Sequence, residues 1–170
     1  MAAAQDSLET ILDTFTTGCA GVLIRPAKDQ NLEEARAEIG RAISGVNVGP
    51  VQLETVGDSE QYPWVLFRGT TLNDIAIGIG QVGTMLSATG LGDRMLAVVY
   101  AFTWQQHTIY WIYQPKLGTY TPFVPKGNGE GSTERDHDLE KLMEQAVRRG
   151  REFPTTQDVS QWFPIWGIPF

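Results

Sequence analysis

The sequence contains very little cysteine and histidine. Cys19 is the single cysteine among 170 residues, so the chain can form neither an internal disulfide nor a zinc site built from cysteines. The two histidines, His107 and His137, have no second histidine at metal-ligand spacing. Asp136 and Asp138 flank His137, and a solvated helix start explains that grouping. The scarcity of these ligands predicts a protein of a reducing compartment with no metal and no cofactor.

The chain also lacks an excess of basic residues and a long apolar run. Its formal net charge is −7, which argues against a nucleic-acid partner because phosphate binding needs a concentrated basic surface. No stretch approaches the roughly eighteen apolar residues that a transmembrane helix needs. Residues 1–6 have neither the basic region nor the apolar core of a signal peptide. We therefore expect a cytoplasmic protein without a transmembrane segment.

What the sequence does contain is the pattern of one globular α+β domain over residues 1–170. Hydrophobic residues make up 42% of the chain and charged residues 19%, which is ordinary for a folded domain. Helices interspersed with hairpins predict an antiparallel sheet of about five strands flanked by helices. Four helices are predicted: one that includes Leu8 to Phe15, one after the cap Asn31, one after the cap Thr71, and one that begins near Thr133 and Asp136. The predicted strands are 21–26, 51–56, 64–68, 95–103 and 108–114, with 117–124 as a possible addition.

One glycine-rich segment matches a nucleotide-binding pattern. Gly78 to Gly83 has the spacing G-x-G-x-x-G, which binds dinucleotides when a strand precedes it and a helix begins at it. Residues 74–77 would have to form that strand. No acid lies about twenty residues further on, as the pattern requires. Close packing of a helix on the sheet is the other interpretation of these glycines.

Aromatic residues are concentrated in the second half of the chain. Tyr110 and Tyr113 belong to a strand with aromatic groups on both faces, and Tyr120 belongs to the possible strand 117–124. Core packing explains most of these aromatic groups. A protein-interaction surface that includes these three tyrosines is the other interpretation, because tyrosine is enriched at interfaces. A sheet with too few helices to cover both faces would also suit a homodimer.

The C-terminal residues 153–170 form an aromatic tail. Trp162, Phe163, Pro164 and Trp166 lie close together there, where chains usually carry little apolar bulk. Each aromatic side chain can bury on the order of 150–250 Å². We therefore expect the tail to pack on the domain as a clamp, with Trp162, Phe163 and Trp166 against the sheet.

Several motifs of the second half resemble the PspA-associated protein family PspAB. They are the strand end Tyr110 to Tyr113, the run from Leu117 to Pro125, the helix from Arg135, and above all Gln161 to Gly167. The resemblance implies a link to phage-shock-type membrane stress, in which PspA proteins coat and stabilise the inner membrane. It also implies a fold similar to YbjN and to type III secretion chaperones. It brings no catalytic residues.

The resemblance predicts a non-enzymatic adaptor or regulator that binds a PspA-like membrane-remodelling protein and is recruited through it to the inner face of the membrane. Two alternatives stay open. One is a sensor or enzyme that binds a nucleotide-like ligand at Gly78 to Gly83. The other is a chaperone-like module for an unrelated client protein.

Overall fold

A computed structural model describes residues 8, 13–58, 60–105, 107–126, 134–150 and 154–170. These residues form a single six-stranded sheet and three α-helices, so the predicted α+β class with an antiparallel sheet is confirmed, with six strands instead of about five. The elements in chain order are β1 (Thr14–Ile24), α1 (Leu32–Ile43), β2 (Gln52–Gly57), β3 (Pro63–Arg68), α2 (Leu72–Ala88), β4 (Met95–Trp104), β5 (His107–Gln114), β6 (Thr119–Phe123) and α3 (His137–Gly150).

All neighbouring strands pair antiparallel in the order β2-β3-β1-β4-β5-β6. The predicted hairpins β2–β3 and β4–β5 are confirmed, and β6 extends the second of them into a meander. β1 joins the two halves, because it pairs with β3 on one side and with β4 on the other. The longest strand among the described residues therefore lies in the middle of the sheet.

β1 begins seven residues before the predicted strand, and this corrects the prediction for Phe15. The expected first helix runs through Phe15, but Phe15 pairs with Thr103 in the sheet. Leu8 is helical, and residues 9–12 of the expected helix lie outside the described part of the chain. The sequence hides the strand because a register shift between Thr16 and Ala20 interrupts it. Gly18 lies in that interruption with φ +76°, a conformation that glycine adopts without steric cost.

The predicted helix starts at α1 and α2 are confirmed by their caps. The Asn31 side chain accepts a hydrogen bond from the Glu34 amide at 2.9 Å, and the Glu34 side chain accepts one from the Asn31 amide. At α2, the Thr71 hydroxyl accepts from the Asp74 amide at 3.1 Å. Such caps satisfy amides that have no partner within the helix. These caps determine the residue at which each of the two helices begins.

The two faces of the sheet are covered by different parts of the chain. Side chains of α1, α2 and α3 pack on one face, with Ile39, Val82 and Met143 all buried in the cluster there. The C-terminal tail packs on the opposite face through Ile165 and its neighbours. We call this second surface the helix-free face; its buried residues in the sheet are Leu23, Trp64, Leu66, Ala97, Val99, Ala101, Tyr110, Ile112 and Phe123.

Candidate functional site

The tail consists of two parts that are held differently. Residues 154–162, which we call the anchor segment, form hydrogen bonds with β6 and α3. The Tyr120 amide donates to the Pro154 carbonyl at 2.8 Å, and the Thr155 hydroxyl donates to the Glu144 carboxylate at 2.9 Å. The Trp162 indole N–H donates to the Thr156 carbonyl at 2.8 Å. These bonds fix the anchor segment at the edge of the sheet, so that the residues after it are directed across the helix-free face.

A buried ion pair joins the anchor segment to α3. Glu140 is fully buried, and Arg135 Nε lies 2.8 Å and 3.0 Å from its two carboxylate oxygens. The Val124 amide donates to Glu140 Oε1 at 2.9 Å, and His137 Nδ1 lies 3.2 Å from Oε2. Arg135 Nη1 donates to the Trp162 carbonyl at 3.1 Å. One guanidinium thus links the carboxylate of α3 to the end of the anchor segment.

The same arginine also contacts β6. Its guanidinium carbon lies 5.4 Å from the centre of the Phe123 ring, and Nη2 lies 3.5 Å from the Pro122 carbonyl. A charge in such a site is tolerated because it is paired and hydrogen-bonded on several sides. Sequence reasoning missed the pair, because an arginine before a helix and a glutamate five residues later are common, and only the fold shows that the carboxylate is buried.

Residues 163–170, which we call the strap, lie on the helix-free face mainly through apolar contacts. Ile165 is buried, and the Trp166 ring meets the Phe123 ring edge-on at a centroid distance of 5.0 Å. Phe170 meets Trp64 at 6.1 Å and Tyr110 at 6.4 Å, in both cases edge-on. Within the described residues, one hydrogen bond joins the strap to the sheet, from the Tyr110 hydroxyl to the Phe170 carbonyl at 3.4 Å.

The structure places the four residues of the expected clamp in different environments. Trp162 is only 4% exposed, and Trp166 and Pro164 are half-buried. Phe163, however, is 61% exposed, so the expectation that it packs against the sheet is wrong. The register of the tail accounts for this, because burial of Trp162 and of Ile165 turns the intervening Phe163 outward. Ile165, Ile168 and Phe170 pack on the helix-free face in its stead.

The three tyrosines expected to form one interaction surface lie on opposite faces of the sheet. Tyr110 is 8% exposed and lies on the helix-free face beneath the strap. Tyr113 and Tyr120 are half-buried on the helix-covered face, with ring centroids 4.9 Å apart. The expected homodimer relied on an uncovered sheet face, and the strap covers the face that the helices leave. The structure therefore gives the homodimer no support.

Tyr113 and Tyr120 form a cluster with Tyr100. The ring centroids of Tyr100 and Tyr120 are 6.5 Å apart. Burial, reinforced by Tyr120 and Tyr113, raises the pKa of Tyr100 strongly above 10. Burial, reinforced by Tyr113, also raises the pKa of Tyr120 to about 12, although the hydrogen bond with Tyr100 acts in the opposite direction. The neutral phenols are thus the stable form in the fold, which is what a packing cluster requires.

The glycines of the nucleotide-binding pattern lie within a helix. Gly78 to Gly83 fall in the middle of α2, and residues 74–77, which would have to be a strand, are helical as well. The pattern binds phosphate only where glycines precede a helix N-terminus, so its structural condition is not met. Gly78 lies against Phe67 and Val48, whereas Gly80 faces open space. The packing interpretation thus fits Gly78.

Among the described residues, open clefts also lie outside the tail. One of about 220 Å³ is lined by residues 47–50 together with Asp74, Ile77 and Gln81, and it is smaller than the roughly 300–1,000 Å³ of typical ligand sites. Another, of about 450 Å³, is lined by Arg25, Gly92, Asp93, Met95, Pro115 and Lys116. The described residues contain no group of three or more His, Cys, Asp or Glu side chains placed to hold a metal ion.

The fold and the tail define the class of protein: an α+β domain whose sheet is covered by helices on one face and by an aromatic segment of its own chain on the other. The chain belongs to the family PspAB, PspA associated protein B, whose model matches residues 1–170. The likeness therefore extends over the N-terminal half, beyond the motifs of the second half. Comparisons with curated proteins and with solved structures gave no match, so the likeness to YbjN and type III secretion chaperones stays a prediction. None of the helices in the described ranges is long and apolar enough to cross a membrane.

Proposed function

We propose that this protein is a non-enzymatic cytoplasmic adaptor or regulator that binds a PspA-like membrane-stress protein. The observation that supports the proposal is the family match, because it spans residues 1–170 and the family is described by its association with PspA. In this account the protein reaches the inner face of the membrane through its partner and not by contacting lipid itself.

The charge of the chain supports recruitment through a partner. Its formal net charge is −7, and the cytoplasmic leaflet of a membrane carries a negative surface potential that attracts clustered Lys and Arg and repels acids. Direct binding to anionic lipid would therefore be unfavourable. A protein partner that binds the membrane removes this obstacle.

Vesicle co-sedimentation tests the proposal. The full chain is mixed with vesicles of phosphatidylethanolamine and phosphatidylglycerol, with and without a purified PspA-like protein from the same organism. We expect the chain to sediment with the vesicles when the PspA-like protein is present and to stay in the supernatant when it is absent.

Two results would contradict the proposal. Sedimentation of the chain with vesicles alone would show that it contacts lipid directly. Failure to sediment in the presence of a vesicle-bound PspA-like protein would show that the two do not associate. Neutral vesicles of phosphatidylcholine serve as the matched control. The PspA-like protein is first shown not to bind to them, and the chain should then stay in the supernatant.

A further inference from the structure

We propose that the helix-free face is a docking surface for an apolar, uncharged segment of the PspA-like protein that carries an aromatic residue, and that the strap occupies this surface until the partner displaces it. This inference rests on the proposed function. It assigns the binding surface and a mechanism of regulation in which the chain's own residues 163–170 compete with the partner.

The strap forms fewer hydrogen bonds than the anchor segment does, so it is the part of the tail that can leave the sheet. The anchor segment is fixed by backbone and side-chain hydrogen bonds up to the Trp162 carbonyl. Beyond Trp162, the described residues provide only the 3.4 Å bond from Tyr110 to Phe170. Of residues 163–170 only Ile165 is buried, and segments with few buried apolar contacts open at a lower free energy than the fold as a whole. The strap can therefore leave the sheet while the anchor segment stays in place.

The helix-free face contains a slot that fits one aromatic ring. Phe170 lies in it, between the Trp64 and Tyr110 rings. Gly21 forms the floor of the slot, since a Cβ atom added there would lie 2.6 Å from Phe170 Cε1 and 2.8 Å from Trp64 Cε3. A glycine within a central strand weakens the strand, and it often marks a place where another group approaches closely. Here that group is the ring of the segment that covers the face.

The chemistry of the face defines the segment that replaces the strap. Its buried sheet residues carry no charged group, so a charged side chain placed over them would lose its hydration without a partner. Thr121 pairs with Ile112 and shares its face, and its buried hydroxyl has no hydrogen-bond partner among the described residues. A partner segment with an acceptor at that position would satisfy a group that the strap leaves unpaired. The strap itself shows that an apolar segment with an aromatic ring in the slot fits.

Two substitutions in the full chain separate docking from mere support of the fold. Phe170→Ala weakens the strap and leaves the slot open, whereas Gly21→Ala fills the slot with a methyl group that meets both the Phe170 ring and the Trp64 ring. If the face binds a partner segment, the two variants respond in opposite directions. A purely structural tail would give the same direction for both. Gly40→Ala is the matched control, because nothing lies within 4 Å of the added Cβ atom.

The first measurement uses a fluorescently labelled peptide with the sequence of residues 163–170, and its binding is followed by anisotropy. The affinity of a site that is open for only a fraction of the time is reduced by that fraction. We expect the Phe170→Ala chain to bind the peptide at least about tenfold more tightly than the unchanged chain does. The Gly21→Ala chain should bind no more tightly than the unchanged chain. If the Phe170→Ala chain shows no gain, the strap is not displaceable and the inference is wrong.

The second measurement repeats the comparison with the purified PspA-like protein. Tighter binding by Phe170→Ala together with weaker binding by Gly21→Ala supports the inference. Equal binding by all variants would place the partner elsewhere on the surface and overturn the inference, while the proposed function would stand. If the unchanged chain and Phe170→Ala both fail to bind, both the proposed function and this inference are wrong. If Gly21→Ala does not fold, the inference is judged on Phe170→Ala alone. A gain in affinity for the PspA-like protein supports the inference, and no gain overturns it.

Discussion

Replacement of Glu140 by glutamine should destabilise the fold more than any other conservative change near the tail. The glutamine keeps an acceptor for the Val124 amide but removes the negative charge that lies 2.8 Å from Arg135 Nε. Glu140 is fully buried and the Arg135 side chain is 10% exposed, so the arginine would be left without its counter-charge. Breaking such a pair costs about 3–5 kcal/mol. For a chain of this size the melting temperature should fall by roughly 6–20 °C, from about 2–4 °C per kcal/mol.

Urea unfolding followed by circular dichroism and by tryptophan fluorescence measures this change. The double variant Glu140→Gln with Arg135→Met is the control, because it removes the unpaired charge and loses chiefly the arginine's bond to the Trp162 carbonyl. A net hydrogen bond contributes about 1 kcal/mol, so the double variant should be more stable than Glu140→Gln alone. A loss below about 1 kcal/mol in the single variant, or a double variant less stable than the single one, would refute the reasoning.

Three further changes follow from the same structure. Gly80→Ala should raise the free energy of unfolding by up to about 1 kcal/mol in thermal melts. Gly80 is a solvent-exposed residue in the middle of α2, and a methyl group there meets nothing within 4 Å. Any loss of stability would contradict this prediction. Trp162→Ala should lower the free energy of unfolding by about 3–5 kcal/mol in the same assay, because the Trp162 side chain is buried. Phe163→Ala should change it by no more than about 0.5 kcal/mol. Similar losses for both variants would show that the assigned burial is wrong. Burial raises the pKa of Tyr100 and of Tyr120, the latter to about 12, so the folded state keeps these phenols protonated. The stabilisation should therefore be fully present below about pH 10 and fall as the pH rises toward 12. Urea unfolding between about pH 8 and 12 measures this fall, and a flat profile would refute it.

Local signals in the sequence predicted most of the elements. The caps at Asn31 and Thr71 act within one helical turn, so they can be identified from neighbouring residues alone. The hairpins β2–β3 and β4–β5 also join segments that are close in sequence. The start of β1 could not be predicted, because the residues around Gly18 break the alternation by which a strand is identified.

The candidate site depended on contacts between distant residues and was predicted only in part. The aromatic content of the tail predicted that it packs on the domain, but not which side chains point inward, since that depends on the register of an irregular segment. Phe163 was misplaced for this reason, and Phe170 was overlooked. Gly21 gave no sign of its role, because only the fold brings it beneath the Phe170 ring. The three tyrosines were grouped by type, whereas the pleat of the sheet separates Tyr110 from the other two.

Isothermal titration of the full chain with the purified PspA-like protein tests the central claim most directly. The account predicts saturable binding with a dissociation constant in the micromolar range or below, about −8 kcal/mol or stronger. The titrations are repeated at several temperatures, so that a binding enthalpy near zero at one temperature does not conceal binding. If no saturable heat appears at any temperature and sedimentation of the same mixture shows two separate species, the protein does not bind its proposed partner and the account is wrong.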